Sequence, residues 1–289
     1  MIRQSRRWLI ISIITMAVCV VVIGVIRPVM GIDFMGGSLL EVSVNNTRPE
    51  EMQSLLEQGL GIKSSVQTSE NGRLIIRTEN LSEEQHQDVL SLLGEKGVLV
   101  EELRFESIGP TIGAELRQKA VIAVAVTLVV LVAYLAYNFR ETAGLISAWK
   151  FGVAAIYALL HDLLFVMAVF VILGATMGVS IDTLFVTAML AILGYSVNDT
   201  IVIFHRLRSE WMSAGRGSLL DTLDGAVKKS LTRSLNTSFT TLMVLGALLL
   251  LGGTSIRWFI VALMAGTIVG TYSSLFVAPP LLYFLAKRK

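Results

Sequence analysis

The few side chains able to carry chemistry stand where a charge is expensive, inside long apolar runs. Asp199 closes the polar stretch Gly194-Tyr195-Ser196-Val197-Asn198-Asp199-Thr200 within a segment that is otherwise apolar. A carboxylate or guanidinium at the centre of a bilayer costs about 2.5 to 3.5 kcal/mol on insertion scales, so each one calls for a reason. On a helix, Tyr195 and Ser196 lie at i−4 and i−3 from Asp199, and with Asn198 they form a polar patch that must face protein or water rather than lipid. A second stripe, Arg233, Asn236, Thr237, Thr240 and Thr241, recurs at i, i+3, i+4, i+7 and i+8 and shares one helix face. If the two segments are antiparallel neighbours, Asp199 and Arg233 lie at similar depth and can pair, each offsetting the other's desolvation. Equally, Arg233 can snorkel to the membrane surface as a topology anchor.

His161-Asp162 is a third polar site, near the middle of its own apolar run. Adjacent helical residues point about 100° apart, so this pair belongs in a seam between helices. Either a structural hydrogen bond between helices or a proton-relay or gating role accounts for it. Asp182 reads as a helix cap.

The chemistry these groups suit is ion coupling. Burial disfavours an ionised carboxylate and a nearby arginine favours it, so a change in their separation switches a carboxylate between proton uptake and release. One charge crossing the membrane gains about 2.3 kcal/mol per 100 mV, comparable to a modest helix rearrangement.

Other chemistries lack their residues. Cys19 is the single cysteine, and His86, His161 and His205 make no HxxxH or HExxH spacing, so neither a disulfide framework nor a metal site is expected. There is no GxxxxGK[ST] nucleotide loop and no hydrolase constellation, so the expectation is no enzyme and no cofactor.

The elements that must position these residues are membrane spans. Apolar residues make up 54% of the 289, charged residues 16%, and the mean hydropathy is +0.69, which marks a polytopic α-helical membrane protein. Six runs are long enough to cross: Trp8 to Ile26, Ala120 to Tyr137, Phe151 to Leu173, Thr183 to Phe204, Leu235 to Gly252, and Phe259 to Leu285. The first is longer than a signal-peptide core and is followed by Arg27-Pro28, so it reads as a retained anchor. Arg3, Arg6, Arg7, Arg140, Lys150, Arg206, Arg208, Arg216, Lys228, Lys229, Arg233, Lys287, Arg288 and Lys289 all fall on one side of six spans. That side is expected to be cytoplasmic, with both termini.

Between spans one and two, Arg27 to Gln118 carries 8 Lys/Arg against 15 Asp/Glu, a net charge of −7. An acidic exported domain argues against nucleic-acid binding. Strands are predicted at Ser38 to Val44, Ser64 to Ser69, Arg73 to Thr78 and Leu99 to Glu106, and helices at Pro49 to Gln58 and Glu83 to Leu93 after the possible cap Ser82. This βαββαβ order suits a ferredoxin-like α+β domain with one face of its sheet uncovered, where an extended peptide could add. The expected division is 1–26 for the N-terminus and first span, 27–118 for the exported domain and 119–289 for the remaining five spans. Gly36-Gly37 would permit a tight turn into the first strand, with Asp33 capping or bonding it, a structural role.

These motifs, in this order, resemble the SecF family, the smaller subunits of the SecDF complexes of bacterial protein export, within the RND superfamily. The resemblance rests on Gly31 to Gly37, Ser107 to Gly113, His161-Asp162, Gly194 to Thr200, and Arg233 with Asn236 to Thr241. It implies one six-helix half of an RND-type bundle. It also implies a proton pathway through Asp199 and Arg233, the proton motive force as energy source, and SecD as the partner half. The wider partners it implies are the SecYEG channel, YajC and unfolded preprotein, at the bacterial cytoplasmic membrane. The alternative is half of an RND-type exporter of lipids or small molecules. His205 stands where the family usually has aspartate, which removes a salt bridge expected at that end of span four.

Overall fold

The computed structural model describes residues 2–45, 47–68, 72–140, 146–213 and 218–287, with the side chains at 99, 100, 213 and 254 left out. Ser69, Arg216, Arg288 and Lys289, named above, lie outside the described residues. The chain forms two compact units: Met1–Pro28 with Ile122–Val179 and Leu184–Lys289, and Val29–Val121 with Ser180–Thr183.

The helical unit contains α1 (Ser5–Ile26), much of α5 (Pro110–Asn138), then α6 (Ala148–Met177), α7 (Thr183–Ser213), α8 (Leu219–Leu251), α9 (Arg257–Phe276) and α10 (Ala278–Lys287). Among the described residues, six helices are long and apolar enough to cross a membrane, with α9 and α10 counted as one span. Each extends past its apolar run. The helix α8 begins at Leu219 rather than near Leu235, and α7 runs to Ser213 rather than Phe204. Hydropathy marks only the part that lipid can solvate, whereas backbone hydrogen bonds continue through good helix formers such as Leu and Lys. The sixth run does break, at Val277, because Pro279 and Pro280 offer no N–H to the preceding turn. Around α6 are packed α1, α9 and α10, and α8 lies against α9.

The second unit holds β1 (Gly37–Val44), α3 (Pro49–Leu60), β2 (Ser64–Thr68), β3 (Leu74–Thr78), α4 (Glu83–Glu95) and β4 (Leu99–Ile108), preceded by the one-turn α2 (Ile32–Met35). The order is βαββαβ, and the antiparallel sheet runs β2-β3-β1-β4, the split βαβ arrangement. Alternation sends Leu40, Val42, Leu74 and Ile76 inward, where they meet Met52, Leu56, Val89 and Leu93 of the helices and Leu81 from the connection before α4. Pro49 opens α3 and left-handed Gly61 ends it. Ser82 caps α4, accepting from the Gln85 amide at 3.3 Å while Gln85 accepts from the Ser82 amide at 3.0 Å.

The two glycine motifs meet in this unit. Gly36 (φ +75) and Gly37 (φ +126) carry the chain into β1, with Gly37 opposite Ile108 of β4. A Cβ on Gly36 would stand 2.7 Å from Pro110 Cα, and one on Gly113 would stand 2.8 Å from Gly36 N. Asp33 bonds a more distant group than its own turn. Its Oδ2 accepts from the amide (2.8 Å) and hydroxyl (2.5 Å) of Thr183, the first residue of α7. A parallel bridge between Met30 and Ile181 holds the same two strands of chain together.

Candidate functional site

Polar side chains of α6, α7, α8 and α9 converge inside the helical unit. The centre is Asp162 on α6, 1% exposed. Its Oδ2 accepts hydrogen bonds from Ser196 of α7 at 2.6 Å and Ser273 of α9 at 2.7 Å, and its Oδ1 lies 3.2 Å from His161 Nδ1. Two hydroxyl donors and the neighbouring imidazole on one carboxyl group tie three helices together. Beside it, the Thr200 hydroxyl donates to Ser274 at 3.1 Å, and Ser274 donates to the Ser196 carbonyl at 3.2 Å.

The approach of α9 to α7 depends on small residues. A Cβ on Gly270 would meet Ser196 Cβ at 3.1 Å, and one on Gly266 would fall 2.2 Å from Ile192 Cγ1. Close helix contact in a membrane is built this way. A second chain joins α7 to α8 and α9: Tyr195 Oη lies 3.1 Å from Ser238 Oγ, which also bonds Thr271.

Asp199 is 5% exposed, and its Oδ2 is buried with no hydrogen-bond partner among the described residues. Ser234 of α8 and the Arg233 charge are the side chains that act on it. The ion pair itself is not made. Among the described residues no Asp199–Arg233 contact falls within 4.0 Å, and Arg233 lies exposed. The reason is rotation about the axis of α8. Leu223, Ala226, Val227, Ser230, Ser234 and Ser238 form its buried stripe, so Arg233, one residue or about 100° away, turns outward. Asn236, Thr237 and Thr240 are exposed with it, as is Asn198 on α7. Thr240 and Thr241 return their hydroxyls to backbone carbonyls one turn back.

Of the predicted residues, the structure therefore joins His161, Asp162 and Ser196 in one buried cluster, buries Asp199 separately, leaves Tyr195 half-buried on a second chain, and places Arg233, Asn198, Asn236, Thr237 and Thr240 on outer faces. It adds Ser234, Ser238, Thr271, Ser273 and Ser274, which the sequence reading did not single out. Serines and threonines barely lower the hydropathy of a span, but Gly266, Gly270 and Ser274 recur at every fourth position of α9 and could have shown the packing face. At the other end of α7, His205 lies against Phe139, ring centroids 5.1 Å apart, beside the buried stack of Phe139 on Phe151.

The family model described as protein export membrane protein SecD/SecF, C-terminal, matches residues 89–288. The protein translocase subunit SecF of Thermobaculum terrenum is 34% identical over 268 residues, covering 88% of this chain and 83% of that protein. The SecF of Synechocystis is 37% identical over 268 residues, covering 88% and 81%. The chain belongs to the SecF family. The structure of SecDF, a translocon-associated membrane protein from Thermus thermophilus, superposes on this SecF-family chain with a TM-score of 0.88 at 30% identity. It covers 99% of this chain, which corresponds to 38% of that longer polypeptide. SecDF in its super-membrane-facing form gives a TM-score of 0.70 at 29% identity. The SecF family and the six apolar helices make this a multi-pass membrane protein with an RND-type helical half.

Proposed function

We propose that this chain works with a SecD subunit as an auxiliary part of the Sec translocase, using the proton motive force to promote preprotein movement across the bacterial cytoplasmic membrane. The observation that carries the reading is Asp199: a buried carboxylate with one oxygen unpartnered, adjacent to Ser234 and within the electrostatic influence of an arginine that does not bond it. Such a group can exchange a proton when the neighbouring arginine approaches or withdraws.

A partner half follows from the outer faces. Arg233, Asn236, Thr237 and Asn198 stand exposed on membrane-spanning helices, where lipid cannot solvate them. A SecD bundle covers them in this reading, which agrees with the chain matching 38% of a SecDF polypeptide. The wider assembly is the SecYEG channel with YajC and unfolded preprotein, with both termini in the cytoplasm. The work is mechanical, without enzymatic turnover, and the proton gradient replaces a cofactor.

Inverted membrane vesicles containing the assembled translocase test this. The variant Asp199→Asn should remove the part of preprotein import that responds to the proton motive force, and Arg233→Lys should weaken it. Import by Asp199→Asn that still responds fully to the gradient would refute the proposal.

A further inference from the structure

Two more buried polar atoms lack partners among the described residues, His161 Nε2 and Tyr272 Oη, and they belong to neighbouring rings. The His161 and Tyr272 rings lie 5.9 Å apart at 39°. His161 is 1% exposed and starts about 20 Å along α6, near mid-membrane. A buried polar atom left unpaired costs about 1 to 3 kcal/mol, and two on neighbouring rings point to a shared occupant. Water is the ligand of the right size, since buried waters bind polar groups that protein leaves unmatched.

We propose that His161 is a second proton-carrying group, exchanging its proton at Nε2 through water with the Tyr272 hydroxyl, while Asp162 is its fixed partner. This rests on the proton-coupled reading above and adds to it a residue, Tyr272, and a division of roles. In the tautomer that donates from Nδ1 to Asp162 Oδ1, 3.2 Å away, His161 keeps its Nε2 lone pair as an acceptor. A proton delivered by water forms a new N–H at Nε2, and the imidazolium charge is balanced by the Asp162 carboxylate. Release breaks the same N–H and returns the proton to water. Asp162 keeps its bonds to Ser196 and Ser273 in both states, so the helix junction persists while the proton moves.

The surroundings favour the histidine as the mobile member. Asp162 has three donors, whereas one side of His161 has none. Asp162 and Tyr272 are the titratable groups recorded against the ring. From α1, the neighbouring contacts come through uncharged side chains: Trp8 against Tyr272 at 6.2 Å, and Ser12 donating to Tyr157 at 3.3 Å, one turn before His161.

The test uses the full chain assembled with its SecD subunit and channel in inverted vesicles, following gradient-dependent import from about pH 5 to 8, the range in which imidazole titrates. His161→Asn should lower that import by roughly a hundredfold and change its dependence on pH. Tyr272→Phe, which deletes one oxygen, should slow import and flatten the profile with the complex intact. A purely structural role would instead reduce the amount of complex and leave the profile unchanged. A wild-type rate and profile in either variant overturns the proposal, and Tyr272→Phe decides it if His161→Asn does not assemble. Asp199→Asn separates the two readings: loss there with normal His161→Asn sinks this inference alone, while retention there sinks the parent reading.

Discussion

Replacing Gly36 by alanine should open the edge of the sheet far more than the same change at Gly61. Both glycines have positive φ, +75 and +67, so both substitutions carry a backbone penalty of about 1 to 2 kcal/mol. They differ in what the new methyl meets. At Gly61 there is nothing within 4 Å, whereas at Gly36 the Cβ falls 2.7 Å from Pro110 Cα, a backbone atom that cannot rotate away. With ψ of 166, Gly36 occupies a region close to glycine-only, which sets its backbone penalty at about 1 to 3 kcal/mol instead. Displacing Pro110 shifts the junction of β4 and α5 and should add an overpacking cost of about 1 to 3 kcal/mol. The two costs at Gly36 together give about 2 to 6 kcal/mol, against about 1 to 2 at Gly61. Amide hydrogen exchange on the intact protein reads this locally. For Gly36→Ala, amides in the β1–β4 ladder should exchange about 30-fold faster or more, since each 1.4 kcal/mol is tenfold. For Gly61→Ala the same amides should change by about 30-fold or less. Equal exchange in the two variants would show that the packing of Gly36 on Pro110 contributes nothing and that only φ matters.

Asp162→Ala strands three donors, and the thermal midpoint of the detergent-solubilised protein should fall by an amount equivalent to about 1 to 4 kcal/mol; Asp162→Asn, which still accepts, should lose less. Asp33→Ala removes the acceptor at the start of α7 and should cost about 0.5 to 2 kcal/mol, with Asp33→Asn restoring most of it, read as exchange of the Thr183 amide. Hydrogen bonds from Gln87 and then His86 hold the Glu83 carboxyl below its ordinary range. A depressed folded value means that stability is present above the unfolded value, about 4.3, and is lost as pH falls through the folded one. Glu83→Gln should therefore flatten the acid limb of α4 exchange protection, and an unchanged limb would remove Glu83 from the account.

Reading this chain without its fold reached the six spans and the βαββαβ order, because both are written in local patterns. Lipid selects runs of about 20 apolar residues, and alternation or a cap such as Ser82 sets an element through its own neighbours. The isolated carboxylate Asp199 was legible for the same reason, since its cost depends on depth alone. Rotation of a helix about its axis was beyond that reading. Arg233, Asn236, Thr237 and Thr240 do share a face, as their spacing requires, but packing chose the adjacent Ser230-Ser234-Ser238 stripe to turn inward. One residue is worth about 100°, and only the summed contacts with α7 and α9 decide which stripe is buried. Asp33 meets Thr183 across 150 residues, and Asp162 meets Ser273 across 111. Such pairs leave no periodic trace in the chain, because it is the three-dimensional close packing of small residues such as Gly266 and Gly270 that brings the helices near enough for hydroxyl and carboxylate to bond.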